Sequence, residues 1–175
     1  IIKSLFMWAT ILVLLLAGVL PGQCAMRGDW TPDGVPVTTE SIDEWDPVLV
    51  PTSDGGTFVA WYTDNTYPHP PVDRRVYLAR FDANGERMWV TELSTTTGNM
   101  YPHIISDGDD GVFATWYYRL GSALQVVRVN GNGTVLWRTV VHEGYHRHYF
   151  PKLCRDDSGA IYIGWCYGGD VERYY

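Results

Sequence analysis

The chain has 175 residues, of which 46% are hydrophobic, 14% aromatic and 19% charged, and its formal net charge is -7 at pH 7. So large an apolar share excludes a disordered chain, and the length suits one domain or part of one. An acidic surface without a basic stripe argues against nucleic acid and against anionic lipid as partners.

The first predicted element is an apolar segment at the N-terminus. Lys3 precedes an uncharged, apolar run from Leu5 to Leu20, followed by proline, glycine and small residues. This is the order of a secretory signal, so we expect residues 1–24 to be a signal helix and the protein to be secreted or held at the cell surface. An uncleaved membrane anchor and a lipid on Cys24 are alternatives, although Gln23 disfavours the lipoprotein. Membrane contact is expected only through this segment.

The next elements are three segments with one pattern, each opening on proline and reaching tryptophan 14 residues later. In each, an apolar triplet, a turn rich in Asp and Gly and a β-rich run predict a β-hairpin. The segments are "PVLVPTSDGGTFVAW" from Pro47, "PHIISDGDDGVFATW" from Pro102 and "PKLCRDDSGAIYIGW" from Pro151.

A second hairpin follows each of the first two. "RFDANGERMW" begins at Arg80 and "RVNGNGTVLW" at Arg128, and both place a glycine five residues after the arginine. Asn-Gly between apolar runs favours a tight hairpin turn, because such turns need positive φ. Each unit therefore contains four predicted strands. The tryptophans that end the second and fourth strands are predicted to pack between units: Trp61, Trp89, Trp116 and Trp137.

Four short antiparallel strands in a period of about 50 residues are typical of a β-propeller blade. The sequence therefore predicts an all-β fold, a partial propeller of about two and a half blades over residues 47–175. Because a propeller needs ~4 to 8 blades, we expect the domain to be truncated at the C-terminus. Residues 25–46 form an N-terminal segment in which "WTPDGVPVTTE", from Trp30, predicts a strand that closes the propeller on its last blade.

The motifs "WTPDGVPV", "SDGGTFVAW" and "LARFDANGERMW" carry a family resemblance over residues 30–169. The chain resembles secreted bacterial propeller-like repeat proteins whose units read P-x-I-x-x-D-G-x-G-G-x-x-x-x-W and then R-x-D-x-x-G. The resemblance implies propeller-like repeats in an exported or surface-attached bacterial protein. It implies no activity, because that group shares none.

His142, Glu143 and His146 match the H-E-x-x-H spacing of zinc peptidases. In those enzymes both histidines lie on one face of a helix. Here Gly144 interrupts the segment and a predicted strand lies on either side, so the match is interpreted as chance.

Loops between units are nevertheless the predicted ligand-contacting region, because loops at the ends of a propeller carry function. Imidazoles there offer either transition-metal binding or pH sensing as alternatives, but we predict no metal and no cofactor. The predicted contact residues are His142, Tyr145, His146 and His148 in one loop, with Tyr62 and Tyr67 near another.

These patterns favour an exported, non-catalytic module for binding or surface display, with a glycan or a cell-surface protein as partner. The alternative is the N-terminal part of a secreted hydrolase or lyase that acts on polysaccharide. The sequence shows neither paired carboxylates outside turns nor a catalytic triad, which favours a protein that is not an enzyme. An oxidising compartment would permit a disulfide between Cys154 and Cys166, but their positions in the predicted hairpin oppose it. The pairing is therefore left open.

Overall fold

A computed structural model of the chain describes residues 34–39, 42–65, 73–118, 123–143 and 147–168. All of these ranges belong to one compact unit. They contain strands, turns and irregular segments but no helix, so the prediction of an all-β fold is confirmed. The predicted signal helix lies outside the described residues.

The described residues form ten strands, and every pairing between them is antiparallel. In chain order they are β1 (Asp43–Pro51), β2 (Thr57–Asp64), β3 (Arg74–Phe81), β4 (Arg87–Glu92), β5 (Asn99–Ser106), β6 (Val112–Tyr118), β7 (Ala123–Val129), β8 (Val135–Glu143), β9 (Arg147–Arg155) and β10 (Ile161–Gly168). Strands β1 to β4 form the first sheet, β5 to β8 the second and β9 with β10 the third, and within each sheet the strands are paired in chain order.

The hairpin turns form where Asp, Asn and Gly predicted them. In the β3–β4 turn, Asp82 Oδ1 accepts hydrogen bonds from the backbone N–H groups of Asn84 and Glu86, each at 2.8 Å. Gly85 has a φ of 84°, a conformation that costs glycine little because it lacks Cβ. The side-chain acceptor and the glycine together fix the tight reversal that joins the two strands.

The sheets pack face to face in chain order. Alternate residues of the first and second sheets fill the largest cluster between them, which includes Phe58, Leu78, Val112 and Val127. A smaller cluster around Phe113 joins the second sheet to the third. Since burial of one large apolar side chain contributes about 1.5–3 kcal/mol, these two clusters hold the stack together.

The opposite face of the first sheet packs against the N-terminal segment instead of another sheet. Val59 and Trp61 lie there, and Val35 and Val37 pack against them. These two valines belong to residues 34–39, which are irregular rather than a strand. Residues 34–39 are the described part of the predicted closing strand and form no strand, and the rest of that segment lies outside the described residues.

Each sheet begins with a β-bulge at the proline that marks the sequence pattern. In the first sheet Trp45 pairs with Tyr62 and Val48 with Ala60, so two residues of β1 oppose Trp61. Proline suits this place because a bulge leaves one backbone N–H out of the ladder. The corresponding bulges in the second and third sheets oppose Trp116 and Trp165.

The residue before each of these prolines has positive φ although none is glycine. Asp46 has a φ of 48°, Tyr101 of 55° and Phe150 of 50°. Such a backbone conformation is uncommon for any side chain and least common for bulky ones. The same strained geometry is therefore present once in each sheet, next to the tryptophan that it opposes.

Trp89 joins the first sheet to the second through a backbone turn. Its Nε1 donates to Gly131 O at 2.9 Å, and Thr91 Oγ1 donates to Gly133 O at 3.0 Å. A Cβ on Gly133 would lie 2.9 Å from the Trp89 ring, so the close approach of ring and backbone requires glycine there.

Arg80 makes a second connection between the same two sheets. Its guanidinium binds both carboxylate oxygens of Asp110 at 2.9 Å, Asp54 at 2.8 Å and Gly131 O at 2.9 Å. The Arg80 side chain is buried, whereas both carboxylates are half-exposed. One arginine thus pairs with a carboxylate from each of the two sheets at the end of their stack.

Candidate functional site

The structure brings two of the predicted histidines into direct contact. His142 lies near the end of β8 and His148 near the start of β9. Their ring nitrogens Nδ1 and Nε2 lie 2.8 Å apart, and the ring centroids are separated by 4.8 Å. His148 is only 4% exposed, so this contact is largely closed to solvent.

Trp165 of β10 completes a cluster with these two imidazoles, which we name the His–Trp cluster (His142, His148 and Trp165). The Trp165 ring centroid lies 5.9 Å from that of His142 and 6.1 Å from that of His148. His148 stands three residues before Pro151, as Asn99 stands three before Pro102. In the second sheet Asn99 Oδ1 accepts a hydrogen bond from Trp116 Nε1 at 2.8 Å, so this position repeatedly contacts the tryptophan.

A hydrogen bond between His142 and His148 limits what the pair can do chemically. One nitrogen donates its proton and the other accepts with the lone pair that a metal ion would need. Across the described ranges, no group of three His, Cys, Asp or Glu residues is placed to hold a metal ion. His142 and Glu143 lie on a strand, so the helical setting of a zinc peptidase is absent at these two residues.

The remaining predicted contact residues have different positions. Tyr67, Tyr145 and His146 lie outside the described residues. Tyr62 is buried in β2, and desolvation, with the negative charge of Asp46 as a smaller cause, raises its pKa to about 12. Its phenol therefore stays neutral and packs edge-on against Tyr101, with ring centroids 5.9 Å apart.

Tyr62 belongs to a chain of contacting rings that the sequence did not indicate. We name it the aromatic row, and it consists of Tyr62, Tyr101, Tyr117, Tyr149 and Phe150. Tyr101 lies 5.2 Å from Phe150 and 6.3 Å from Tyr117, and Tyr117 lies 4.9 Å from Tyr149, all between centroids. Phe150 is 54% exposed, so the row runs from the core to the surface.

The aromatic row forms because first strands of the sheets are neighbours. Strand β5 lies against both β1 and β9, which places the three bulges near one another. Tyr101 and Phe150 are the bulge residues of β5 and β9. One sequence signal could have indicated these two residues. Each directly precedes the proline of the repeated pattern, the position that Asp46 occupies in the first unit.

His103 ties the second sheet to the third beside this region. Its Nδ1 accepts a hydrogen bond from the backbone N–H of Leu153 at 3.1 Å. Burial lowers the pKa of His103, and the positive charge of Lys152 lowers it further. The imidazole is therefore held in its neutral form, which the acceptor role requires.

Cys154 and Cys166 are free, exposed thiols. In the ladder Cys154 pairs with Tyr162 and Cys166 with Tyr149, so the two cysteines are not partners. The described strands therefore carry no disulfide between them.

Comparison of the sequence with protein-family models gives no match, and comparison with curated proteins gives none. Among the described residues there is no helix with the length and apolar character to cross a bilayer.

Proposed function

We propose that this chain is an exported, propeller-like repeat module of bacterial type that binds a ligand without catalysing a reaction. Its two four-stranded antiparallel sheets, stacked face to face with their first strands adjacent, support a partial propeller. The exposed end of the aromatic row, at Phe150, is the proposed contact surface, and the His–Trp cluster lies beside it on β8, β9 and β10.

The observation that carries this proposal is the positive φ of Asp46, Tyr101 and Phe150. A non-glycine residue in this conformation costs about 1–3 kcal/mol and persists only where the surrounding structure enforces it. Bulges re-aim side chains, and they are common next to binding sites. Three equivalent strained positions on adjacent strands are therefore better explained by the side chains that they present than by folding alone.

The chemistry of these side chains suits a glycan. The exposed face of Phe150 offers a surface on which the C–H groups of a sugar ring can pack. Asp46 is exposed and supplies carboxylate oxygens that accept hydrogen bonds from hydroxyl groups. A formal charge of -7 disfavours acidic ligands, which directs the proposal to a neutral glycan.

The alternative is the N-terminal part of a secreted polysaccharide hydrolase or lyase. Such chemistry uses a pair of carboxyl groups with unequal environments. Asp54 and Asp110 instead share the Arg80 guanidinium, while Asp107 binds Arg128 at 2.8 Å. Because all three carboxylates are paired with arginines, they are explained by structural roles, which favours the binding module over the enzyme.

Titration calorimetry with neutral hexasaccharides tests the proposal, using cellohexaose, chitohexaose and laminarihexaose as probes. We expect saturable binding of at least one of them, weakened roughly fivefold or more by Phe150→Ala because a stacking contact is lost. Tyr162→Ala is the matched control, since Tyr162 is an equally exposed ring on β10 outside the aromatic row. Absence of binding to all three probes would remove the glycan version. Shortened sugars in the reaction mixture would favour the hydrolase or lyase.

A further inference from the structure

A hollow lined by apolar and polar side chains lies on the outward face of the first sheet, over Trp61. We name it the Trp61 hollow. It has two adjoining parts, and Thr38, Glu44 and Trp61 line both of them. The other residues that the argument needs are Trp45, Thr63 and Arg87. The hollow is separate from the aromatic row, because Trp61 and Tyr62 are neighbours on β2 and point to opposite faces of the sheet.

Trp61 has an unusual hydrogen-bonding state in this place. The residue is 5% exposed, and its ring stacks on Tyr77 with centroids 5.7 Å apart. Its Nε1 is buried, and no protein atom in the described part of the chain accepts a hydrogen bond from it. A buried donor without an acceptor has lost water without replacing it, so it favours any group that can supply an acceptor.

The equivalent tryptophan of the second sheet shows which group is missing. Trp116 Nε1 donates to Asn99 Oδ1 at 2.8 Å. Glu44 is the residue that corresponds to Asn99, since each stands three positions before the patterned proline. Glu44 is exposed and lines the hollow instead of accepting from Trp61. In the first sheet an indole donor and a carboxylate acceptor therefore line one hollow without a hydrogen bond between them.

A hydroxyl group is suited to bridge these two groups, because one oxygen can accept from an N–H and donate its proton to a carboxylate. The hollow also balances its charges: Glu44 is negative, and Arg87, whose Nη1 donates to Val37 O at 3.0 Å, is positive. A neutral ligand suits such a lining. The half-exposed ring of Trp45 and the hydroxyl of Thr63 offer an apolar wall and a further polar contact.

We propose that the Trp61 hollow binds one neutral sugar ring, with one hydroxyl bridging Trp61 Nε1 and the Glu44 carboxylate and the ring lying against Trp45. Because Nε1 is closed to solvent, binding also requires a shift of Glu44 or of residues 34–39. That segment is irregular and lies outside the strand ladders. This site does not rest on the aromatic row, and either site can exist without the other.

Nuclear magnetic resonance of the full chain with 15N-labelled tryptophan tests the proposal, because each indole N–H gives its own signal. The Trp61→Phe variant identifies the Trp61 signal. The probes are methyl β-glucoside, methyl β-galactoside and N-acetylglucosamine, with glucuronate and glucosamine as charged counterparts. We expect a saturable shift of the Trp61 signal with at least one neutral probe and a smaller response to both charged ones, while the Trp116 signal stays in place.

Two variants then separate this site from the aromatic row. Glu44→Ala and Trp45→Ala each should weaken the response at Trp61 about fivefold or more, and both residues are exposed enough to be replaced without loss of the fold. Phe150→Ala should leave it unchanged. A Trp61 signal that no neutral sugar moves, or that moves equally after Glu44→Ala, would overturn the proposal. If Phe150→Ala abolished the response, the sugar would belong to the aromatic row instead.

Discussion

The contact between the first and second sheets differs from that between the second and third, although equivalent residues face both. Trp89 donates to Gly131 O across the first contact, and Arg80 reaches Asp110 across it. At the second contact Trp137 is 38% exposed, and Arg128 binds Asp107 and Asp109 of its own sheet.

The difference shows where the strength of such a contact comes from. The Trp89 acceptor lies in the turn between the third and fourth strands of the next sheet, and the described part of the third sheet contains only β9 and β10. The Arg80 partner Asp110 stands eight residues after Pro102, and the residue eight after Pro151 is Gly159. Arg128 therefore meets no equivalent carboxylate in the third sheet. Both sheets carry the donor tryptophan and arginine side chains, but the hydrogen bonds form only where the next sheet supplies an acceptor.

Replacing the two tryptophans gives the largest expected effect. Trp89→Ala should lower the free energy of unfolding by about 3 kcal/mol, because it removes a large, partly buried ring and its hydrogen bond to Gly131 O. Trp137→Ala, at the more exposed equivalent position, should cost about 1 kcal/mol. Urea unfolding at constant m-value measures both. Equal losses would show that the two contacts are energetically alike despite their geometry.

The arginines sharpen the same comparison with a smaller effect. Arg80→Met should cost about 2 kcal/mol, since it removes charge-assisted hydrogen bonds from a buried guanidinium. Arg128→Met should cost about 1 kcal/mol, because Arg128 is more exposed and bonds only within its sheet. The melting temperatures of the two variants, measured under the same conditions, check this ranking. A larger decrease for Arg128→Met than for Arg80→Met would contradict it.

Acid gives the smallest expected effect, because it protonates carboxylates in the β1–β2 and β5–β6 turns that bind Arg80 and Arg128. Burial alone would raise the pKa of Asp107, but hydrogen bonds from the backbone of Asp109 and Gly111 and from Arg128 lower it below 3.8, and the pKa of Asp54 falls to about 2. A carboxyl group with a lowered pKa in the folded state stabilises above its unfolded pKa and loses that contribution as pH falls through the folded value. We expect the melting temperature to fall between about pH 4 and pH 2.

The Asp107→Asn variant tests the cause of this acid sensitivity. It retains an acceptor for the backbone N–H groups but no longer titrates, so its melting temperature should depend less on pH over the same range. An unchanged pH profile would assign the effect to other carboxylates.

Much of the strand pattern could be predicted, because its determinants are local. The Asn84–Gly85 turn and the hairpin that opens at Pro47 depend on residues within a few positions of each other. The link from Trp89 to Gly131 could not be predicted, since the acceptor is a backbone carbonyl 42 residues away that no side chain specifies.

The candidate site shows the same limit. The sequence analysis places His142 and His148 in one loop, whereas the structure has them on β8 and β9, and their 2.8 Å contact could not be predicted. Tyr62 was predicted as a ligand contact because it borders a loop, but the alternation of β2 directs it into the core. Tyr101 and Phe150 were missed because their role depends on a bulge that aromatic residues rarely adopt.

The strict adjacency of sequence neighbours within each sheet also bears on how the molecule acquires its structure. Every strand pairs with the one next to it in the chain, so each sheet can assemble from short loop closures. Coupling between sheets then depends on a few contacts such as Trp89 with Gly131 and Arg80 with Asp110. Cooperativity in such an array is a nearest-neighbour property. The sheet with the weaker coupling is therefore the natural site of partial unfolding, and its amide protons are the first that solvent would exchange.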